Sequence, residues 1–441
     1  MERYDCHCHI FNIVDVGLKA ILEELNSAKE LLDQQNVNSK QKTKETDNDE
    51  EKASIWEKLR KIAEMIKIFT GDSETILETL DKHYDGKYTM FPLMFDGDFL
   101  LDDFDDEELG FVKELATISK QPEKVNNSNL AKELKEDSSD DSDVILRFLG
   151  QIEDLVEERK SNNEYKSGFQ KQYDQIKAIK AQEKYADKVL PFLGVDPRNK
   201  TIKNYLTEIG ANQTFAGVKV YPPNGFSPCD PILVGEGSIF EYCSQNQIPI
   251  ISHCSYGGFA TPVMSIDVDG MIIPEGKTKP EYHNGEYTFT RNIKDGFTEM
   301  VRERAGVLNH PLIWEEVLKQ YPNLILVLAH FGVGSDSWQQ EILRLMKIYP
   351  NLHTDVSCIS ETDKLEKIKS IHTENPDIAH KILYGSDYYL DMFFNDSFDD
   401  YLERMQRVFG EELFNQLSSE NPKLFMQKWY QPVDTPMETI A

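Results

Sequence analysis

Short runs rich in β-branched, aliphatic and aromatic residues recur along the chain, each separated from the next by helical or irregular sequence. They span Arg3 to Phe11, Tyr88 to Phe95, Val189 to Val195, Phe215 to Tyr221, Ile248 to Cys254, Leu324 to His330, Leu352 to Cys358 and Lys381 to Asp387. Their length and composition suit strands. Between them, Ser54 to Phe69, Ile313 to Gln320 and Trp338 to Ile348 place apolar residues at helical spacing. Strands alternating with helices predict parallel βαβ units, and eight such runs predict an α/β fold, a (β/α)8 TIM barrel.

A plain barrel takes about 250 residues, which leaves roughly 190 of this chain for insertions. Segment 36–54 is polar throughout and falls between the first and second runs. Segment 98–188 separates the second and third; it carries the acidic stretches LDDFDDEE and KEDSSDDSD and then helical sequence from Val144 to Lys188. A third insertion, 257–309, is rich in Gly, Thr, Tyr and charged residues and follows the fifth run, where a loop would cover the mouth of a barrel. No fixed-period repeat divides the sequence. The expectation is therefore a single domain over 1–441 with large acidic and helical insertions.

Charge narrows the function. With 48 Lys and Arg against 77 Asp and Glu the net charge is −29, a surface that repels phosphate backbones and anionic lipid. Nucleic acid is excluded as a general partner. No apolar run approaches the roughly 18 to 20 residues of a membrane span, and the opening MERYDCHCHIF lacks the pattern of a secretory leader. Six sparse cysteines do not form a disulfide framework. A cytoplasmic protein with a small-molecule substrate and no membrane partner is expected.

Candidate chemistry begins in the first run. In Asp5-Cys6-His7-Cys8-His9 the side chains of a strand alternate, so His7 and His9 share one face and both cysteines take the other. Two histidines on one face can share a metal ion. Later runs end in His253 (IPIISHCS), His330 (LILVLAHFG) and Asp387 (KILYGSDYY). Barrel active sites gather at the C-terminal ends of strands, so these residues, far apart in sequence, are expected to converge. Neutral imidazoles with one carboxylate suit a divalent transition metal.

These features resemble the amidohydrolase superfamily, and within it the amidohydrolase-related branch that includes aminocarboxymuconate-semialdehyde decarboxylase. The motifs that carry the resemblance are His7 and His9, GVKVYPP, SHCSYGG, LAHFGVG and YGSDYY, in that order along the chain. The resemblance implies that His7, His9 and His253 bind a divalent metal with Asp387 completing the site. One zinc per chain is implied, and His330 would hydrogen-bond the attacking water or the developing oxyanion. Lys219, in GVKVYPP, is either a plain amine that contacts substrate or, in binuclear members, a carboxylated bridge between two metals; the plain amine is the preferred reading. Homodimers are common in this branch by the same resemblance.

Arg198, just past the third run, offers a fork for a substrate carboxylate, or equally a structural ion pair. Tyr221 is a candidate pocket wall. The leading expectation is a metal-dependent hydrolase of a small-molecule amide, ester or lactone, using metal-activated water, with Asp387 and His330 as catalytic groups. The alternative is a non-oxidative decarboxylase of an aromatic or unsaturated acid. A binding protein that has lost turnover is the third reading.

Overall fold

The computed structural model describes residues 2–12, 71–96, 142–150, 168–211, 213–292, 295–390, 395 and 397–430, with single helical positions at 63, 66, 113, 116, 117 and 134. The polar segment 36–54 and nearly all of 98–141 and 151–167 lie outside these residues, and the helix expected over Ser54 to Phe69 is described only at Ala63 and Ile66, both helical and buried.

Each of the eight apolar runs contains a parallel pairing segment. Strands β1 (Arg3–Cys8) and β2 (Tyr88–Pro92) pair with each other, Tyr4 opposite Thr89 and Asp5 opposite Met90. Strands β3 (Phe192–Val195), β4 (Gly217–Val220) and β5 (Ile250–Ser252) continue along the chain. Two further strands, β6 (Ser265–Ile272) and β7 (Glu281–Thr288), form a separate antiparallel ribbon, and β8 (Leu326–Leu328), β9 (Leu352–Asp355) and β10 (Ile382–Leu383) complete the set. The six-stranded sheet runs β10-β9-β8-β5-β4-β3 and is parallel throughout. Isolated parallel bridges link Leu93 to Phe192 on edge strand β3, and Cys8 to Tyr388 in the segment that follows β10. Together with the intervening helices this is the (β/α)8 fold.

The strands are buried on both faces, which is why they read as near-continuous apolar runs rather than alternating ones. Helix α1 (Ser73–His83) follows β1 and α2 (Gly168–Lys180) precedes β3; α3 (Ile239–Gln245) leads into β5. Then come α4 (Phe297–Leu308), α5 (Pro311–Gln320), α6 (Asp336–Ile348), α7 (Thr362–Glu374), α8 (Phe398–Asn415) and α9 (Asn421–Met426). Helix α6 shows the local logic: the Ser335 side chain caps it by accepting from Trp338 N, Asp336 opens the first turn and Lys347 closes the last, as the helix dipole favours. Phe425, Met426 and Trp429 pack with Tyr4, Phe91, Phe192, Val327 and Leu383 in one core.

The ribbon β6–β7 was not expected. In SIDVDGMI, Ile266, Val268 and Ile272 alternate with polar residues at strand spacing and are buried in a small core of their own with Phe289, Val307 and Leu308. The chain as a whole separates into two compact units. One comprises 1–11, 73–100 and 172–441 and holds the strands found among the described residues; the other comprises 12–72 and 101–171, where residues 142–150 are helical with Ile145, Phe148 and Leu149 buried. Among the described residues no helix is long and apolar enough to cross a membrane.

Lys381, just before β10, carries a stability consequence. Its ammonium donates to the carbonyls of Met346 (2.6 Å) and Tyr349 (3.0 Å) at the end of α6. Burial, reinforced by the Lys428 cation and opposed by Asp377, pulls its pKa down to about 8. An unfolded lysine holds its proton to about 10.4, so between these values the unfolded chain binds more protons and stability rises with pH. Wild type should therefore gain denaturation midpoint relative to Lys381→Met as pH rises from neutrality through that window; parallel midpoints across it would refute the shift.

Candidate metal centre

Strand β1 carries His7 near its C-terminal end and His9 follows one residue beyond it, where both meet the turn after β10. Asp5 ties the two together: its Oδ1 accepts from His7 N (3.2 Å) and Ser386 N (2.9 Å), and its Oδ2 from Tyr84 Oη (2.8 Å) and Ser386 Oγ (2.6 Å). Four donors hold this wholly buried carboxylate, although burial still raises its pKa to about 6. Gly385 permits the approach, since a Cβ there would stand 2.5 Å from His7 Cβ.

The result is a tight buried group. Asp387 Oδ1 lies 3.2 Å from His7 Nε2 and 3.0 Å from His9 Nε2, and yet it accepts no hydrogen bond. The other imidazole nitrogens explain this. His9 Nδ1 sits 3.0 Å from the Leu93 carbonyl, which can only accept, so the proton is on Nδ1. His7 Nδ1 faces Asp355 Oδ2 at 2.9 Å, while its Nε2 faces the Lys219 ammonium at 3.4 Å. The partners thus assign Nδ1–H to both rings and leave each Nε2 a lone pair. Two lone pairs and a carboxylate oxygen converge with no proton between them, a donor set that a divalent cation satisfies.

A second group, His7, His330 and Asp355, is also close enough to surround an ion. There, however, the Ser357 hydroxyl already sits at the centre, donating to Asp355 Oδ1 and standing 2.9 Å from His330 Nδ1 and 3.3 Å from His7 Nδ1. We read that group as hydrogen-bonded support and the first as the metal cradle.

His330 lies at the end of β8 with its ring 4.7 Å from those of both His7 and His253. Burial lowers its pKa to about 4, so it is neutral near pH 7. Burial lowers His9 and, much further, His253 in the same sense, and Lys219 and the positive form of His330 add to the effect on His253. Burial and Lys219 also press on His7, but the Asp355 and Asp387 carboxylates outweigh them and raise it. Burial likewise opposes ionisation of Asp387, and is overcome by His7 and His330, which hold it well below the carboxylate range. Lys219, buried on β4, is lowered to about 8 by burial despite Asp387 and Asp355. His330, Cys358 and Asp387 all have positive φ (64°, 57° and 60°), sparsely populated conformations that collect at functional sites.

His253 stands beside His330 rather than in the His7–His9–Asp387 group. Its Nε2 donates to the Gly257 carbonyl at 2.9 Å, leaving Nδ1 as its lone-pair nitrogen, and its ring stacks on Tyr221 at 4.4 Å. The Tyr221 hydroxyl clamps the following loop from both sides, accepting from Phe259 N (2.8 Å) and donating to Phe259 O (3.0 Å). Gly258 passes so close that a Cβ would lie 2.7 Å from both His253 and Tyr221. Arg198 is engaged bidentately by Asp196, through Nε to Oδ1 at 2.8 Å and Nη2 to Oδ2 at 2.6 Å, and also donates to Asn224 O. Asp355, Ser357 and Asp5 escaped the sequence reading; a lone carboxylate at the end of the buried run LHTD was the available sign for Asp355.

Comparison with known proteins adds the ancestry. The family model described as amidohydrolase matches residues 4–423. The chain belongs to the amidohydrolase family. It is an enzyme of the amidohydrolase type; members of the family generally bind divalent metals, and its buried histidine and carboxylate groups could hold one. No curated protein matches it in sequence. Among solved structures it is similar to an uncharacterised TIM-barrel protein of Bordetella bronchiseptica (17% identity, 58% of this chain and 72% of that one, TM-score 0.36). It is also similar to the dihydroorotase of Campylobacter jejuni (14%, 59% and 72%, TM-score 0.32) and to that of Saccharomyces cerevisiae in complex with 5-fluoroorotic acid (14%, 54% and 67%, TM-score 0.33).

Proposed function

We propose that this amidohydrolase cleaves an amide, ester or lactone of a small molecule in the cytoplasm, with one zinc ion per chain held by His7, His9 and Asp387, and with Lys219 a plain amine. The observation that carries the reading is the convergence of two imidazole lone pairs on a buried carboxylate oxygen that has no hydrogen bond. None of the six cysteines forms a disulfide, which suits a reducing compartment. A zinc ion in that position supplies Lewis acidity, polarising the scissile carbonyl and acidifying water.

The chain's own groups divide the remaining work. His330, neutral and with Nδ1 turned to Ser357, offers Nε2 as an acceptor, so it takes a hydrogen bond from the attacking water and has no N–H on that side for an oxyanion. Asp387, ionised at rest, takes the proton that the attacking water gives up and passes it to the leaving group, which restores the carboxylate. Lys219, whose ammonium stands 3.4 Å from His7 Nε2, balances negative charge developing on the substrate. His253, tethered through Nε2 and stacked on Tyr221, forms the wall beside His330 and keeps its Nδ1 free.

Elemental analysis of the purified protein tests the reading: about one zinc per chain, lost in His7→Ala and His9→Ala, is expected. Two metals per chain would replace the plain Lys219 by a carboxylated bridge, and none under zinc-replete conditions would overturn the proposal. A panel of esters, lactones and amides, run beside aromatic and unsaturated carboxylic acids, then decides the bond; release of carbon dioxide in place of a hydrolytic product would select decarboxylation.

A further inference from the structure

Asp355 closes β9 with no solvent exposure, and all its acceptor capacity is spoken for by the site. Oδ1 takes three donors: His330 N at 2.9 Å, Ser357 N at 3.1 Å and the Ser357 hydroxyl. Oδ2 takes one, His7 Nδ1–H at 2.9 Å. Because the Ser357 hydroxyl spends its proton on Asp355, its oxygen can only accept from His330 Nδ1, 2.9 Å away; the Ser357 carbonyl, 3.3 Å from the same nitrogen, can also only accept. Every contact on the Nδ1 side of both rings therefore demands a proton there. Among the described residues His330 Nε2 has no hydrogen-bond partner.

We propose that Asp355 and Ser357 are positioning residues that fix His7 and His330 in the Nδ1–H tautomer, so that both rings present an unprotonated Nε2, one to the metal cradle and one to the attacking water. The inference rests on the proposed metal site for its purpose, but the tautomers themselves are a property of the metal-free chain. One carboxylate thus sets a ligand and a proton acceptor together, through one hydroxyl.

The geometry makes the effect of Asp355→Asn specific. Two fixed backbone N–H groups and a hydroxyl point at the Oδ1 position, so the amide oxygen must stay there. The amide nitrogen then occupies the Oδ2 position and turns an N–H toward His7 Nδ1. That ring has to accept at Nδ1 and carry its proton on Nε2, where it blocks the metal. Ser357→Ala acts on the other arm: it removes the nearer acceptor from His330 and leaves the Asp355–His7 contact in place.

The test uses the full chain, metal-free, at alkaline pH where the imidazoles are neutral, with nitrogen-15 histidine spectra reading each tautomer and a His7→Gln spectrum assigning His7. Expected are Nδ1–H for His7 and His330 in wild type, reversal to Nε2–H for His7 in Asp355→Asn, and loss of the single tautomer at His330 alone in Ser357→Ala. Competition titration with zinc alone should show affinity lowered about 10- to 100-fold in Asp355→Asn, with the metal-free melting temperature close to wild type. An unchanged His7 tautomer in Asp355→Asn, or an unchanged His330 tautomer in Ser357→Ala, overturns the inference; if Asp355→Asn does not fold, the serine variant still decides. Wild type that takes up no zinc while its tautomers respond as stated refutes the proposed function and supports the positioning role.

Discussion

Asp387→Asn is expected to lower turnover by about 10²- to 10⁴-fold, the range for removing a positioned proton-transfer group, and to strip the zinc from the purified enzyme. The substitution keeps size and shape and removes the negative charge. An asparagine oxygen at the Oδ1 position would be a weaker ligand for an ion shared with His7 and His9, and neither amide atom can accept the proton that the carboxylate carries. The same variant has a second signature in the metal-free chain. Asp387 Oδ1 lies 3.2 and 3.0 Å from His7 Nε2 and His9 Nε2, and against burial its neighbours hold the carboxyl well below the carboxylate range. A carboxylate so favoured in its ionised form contributes to folding at neutral pH, so metal-free Asp387→Asn should melt below metal-free wild type there, the gap closing as pH falls through the carboxylate range and below. Equal metal-free melting temperatures across that range would refute the depressed pKa. Retention of both zinc and turnover would remove it from the centre.

That arrangement of opposed groups also shows where the sequence was readable. The strands were, because burial on both faces leaves each as an apolar run, and their C-terminal residues brought His7, His9, His330, Lys219 and Asp387 together as parallel topology requires. Asp355 was not, since its role comes from facing His7 across 348 positions of sequence, and nothing local distinguishes it from a strand-end carboxylate. The placement of His253 was illegible for a different reason: which of its nitrogens is free depends on the Gly257 carbonyl, set by a loop whose path Gly258 and Tyr221 determine. Arg198 looked equally fit for substrate or for an ion pair until Asp196, two residues before it, turned back onto its guanidinium. In the 257–309 insertion the alternation of Ile266 and Val268 was present, but the exposed residues between them and along β7 gave the segment the composition of a loop.

The same insertion carries the other large effect. Arg304, on α4, has no exposed side-chain surface. It pairs with Glu303 at 2.6 Å, stands 4.1 Å over the Phe289 ring, and donates to the carbonyls of Thr261 (3.3 Å), Val263 (3.1 Å) and Arg291 (2.6 Å). One guanidinium therefore holds the chain on both sides of the β6–β7 ribbon to a single helix. Arg304→Met fits the space but leaves three carbonyls and a buried carboxylate without their cation, and removing one member of a buried pair costs about 3–5 kcal/mol. Because the ribbon has a small core of its own, that loss should appear first as local opening rather than global unfolding. The amides of Thr290 and Arg291, which donate to Glu303 at 2.7 and 2.9 Å, should exchange with solvent about 10²- to 10³-fold faster. Arg304→Lys keeps the charge without the fork and should recover only part of the protection. The consequence reaches the site through sequence, since Thr261 lies two residues beyond the Phe259 backbone that Tyr221 clamps and four beyond the Gly257 carbonyl that holds His253. A loosened ribbon should raise KM more than it lowers kcat, because the wall moves while His7, His9 and Asp387 stay in place; unchanged exchange at Thr290 and Arg291 would show that Arg304 is not the anchor.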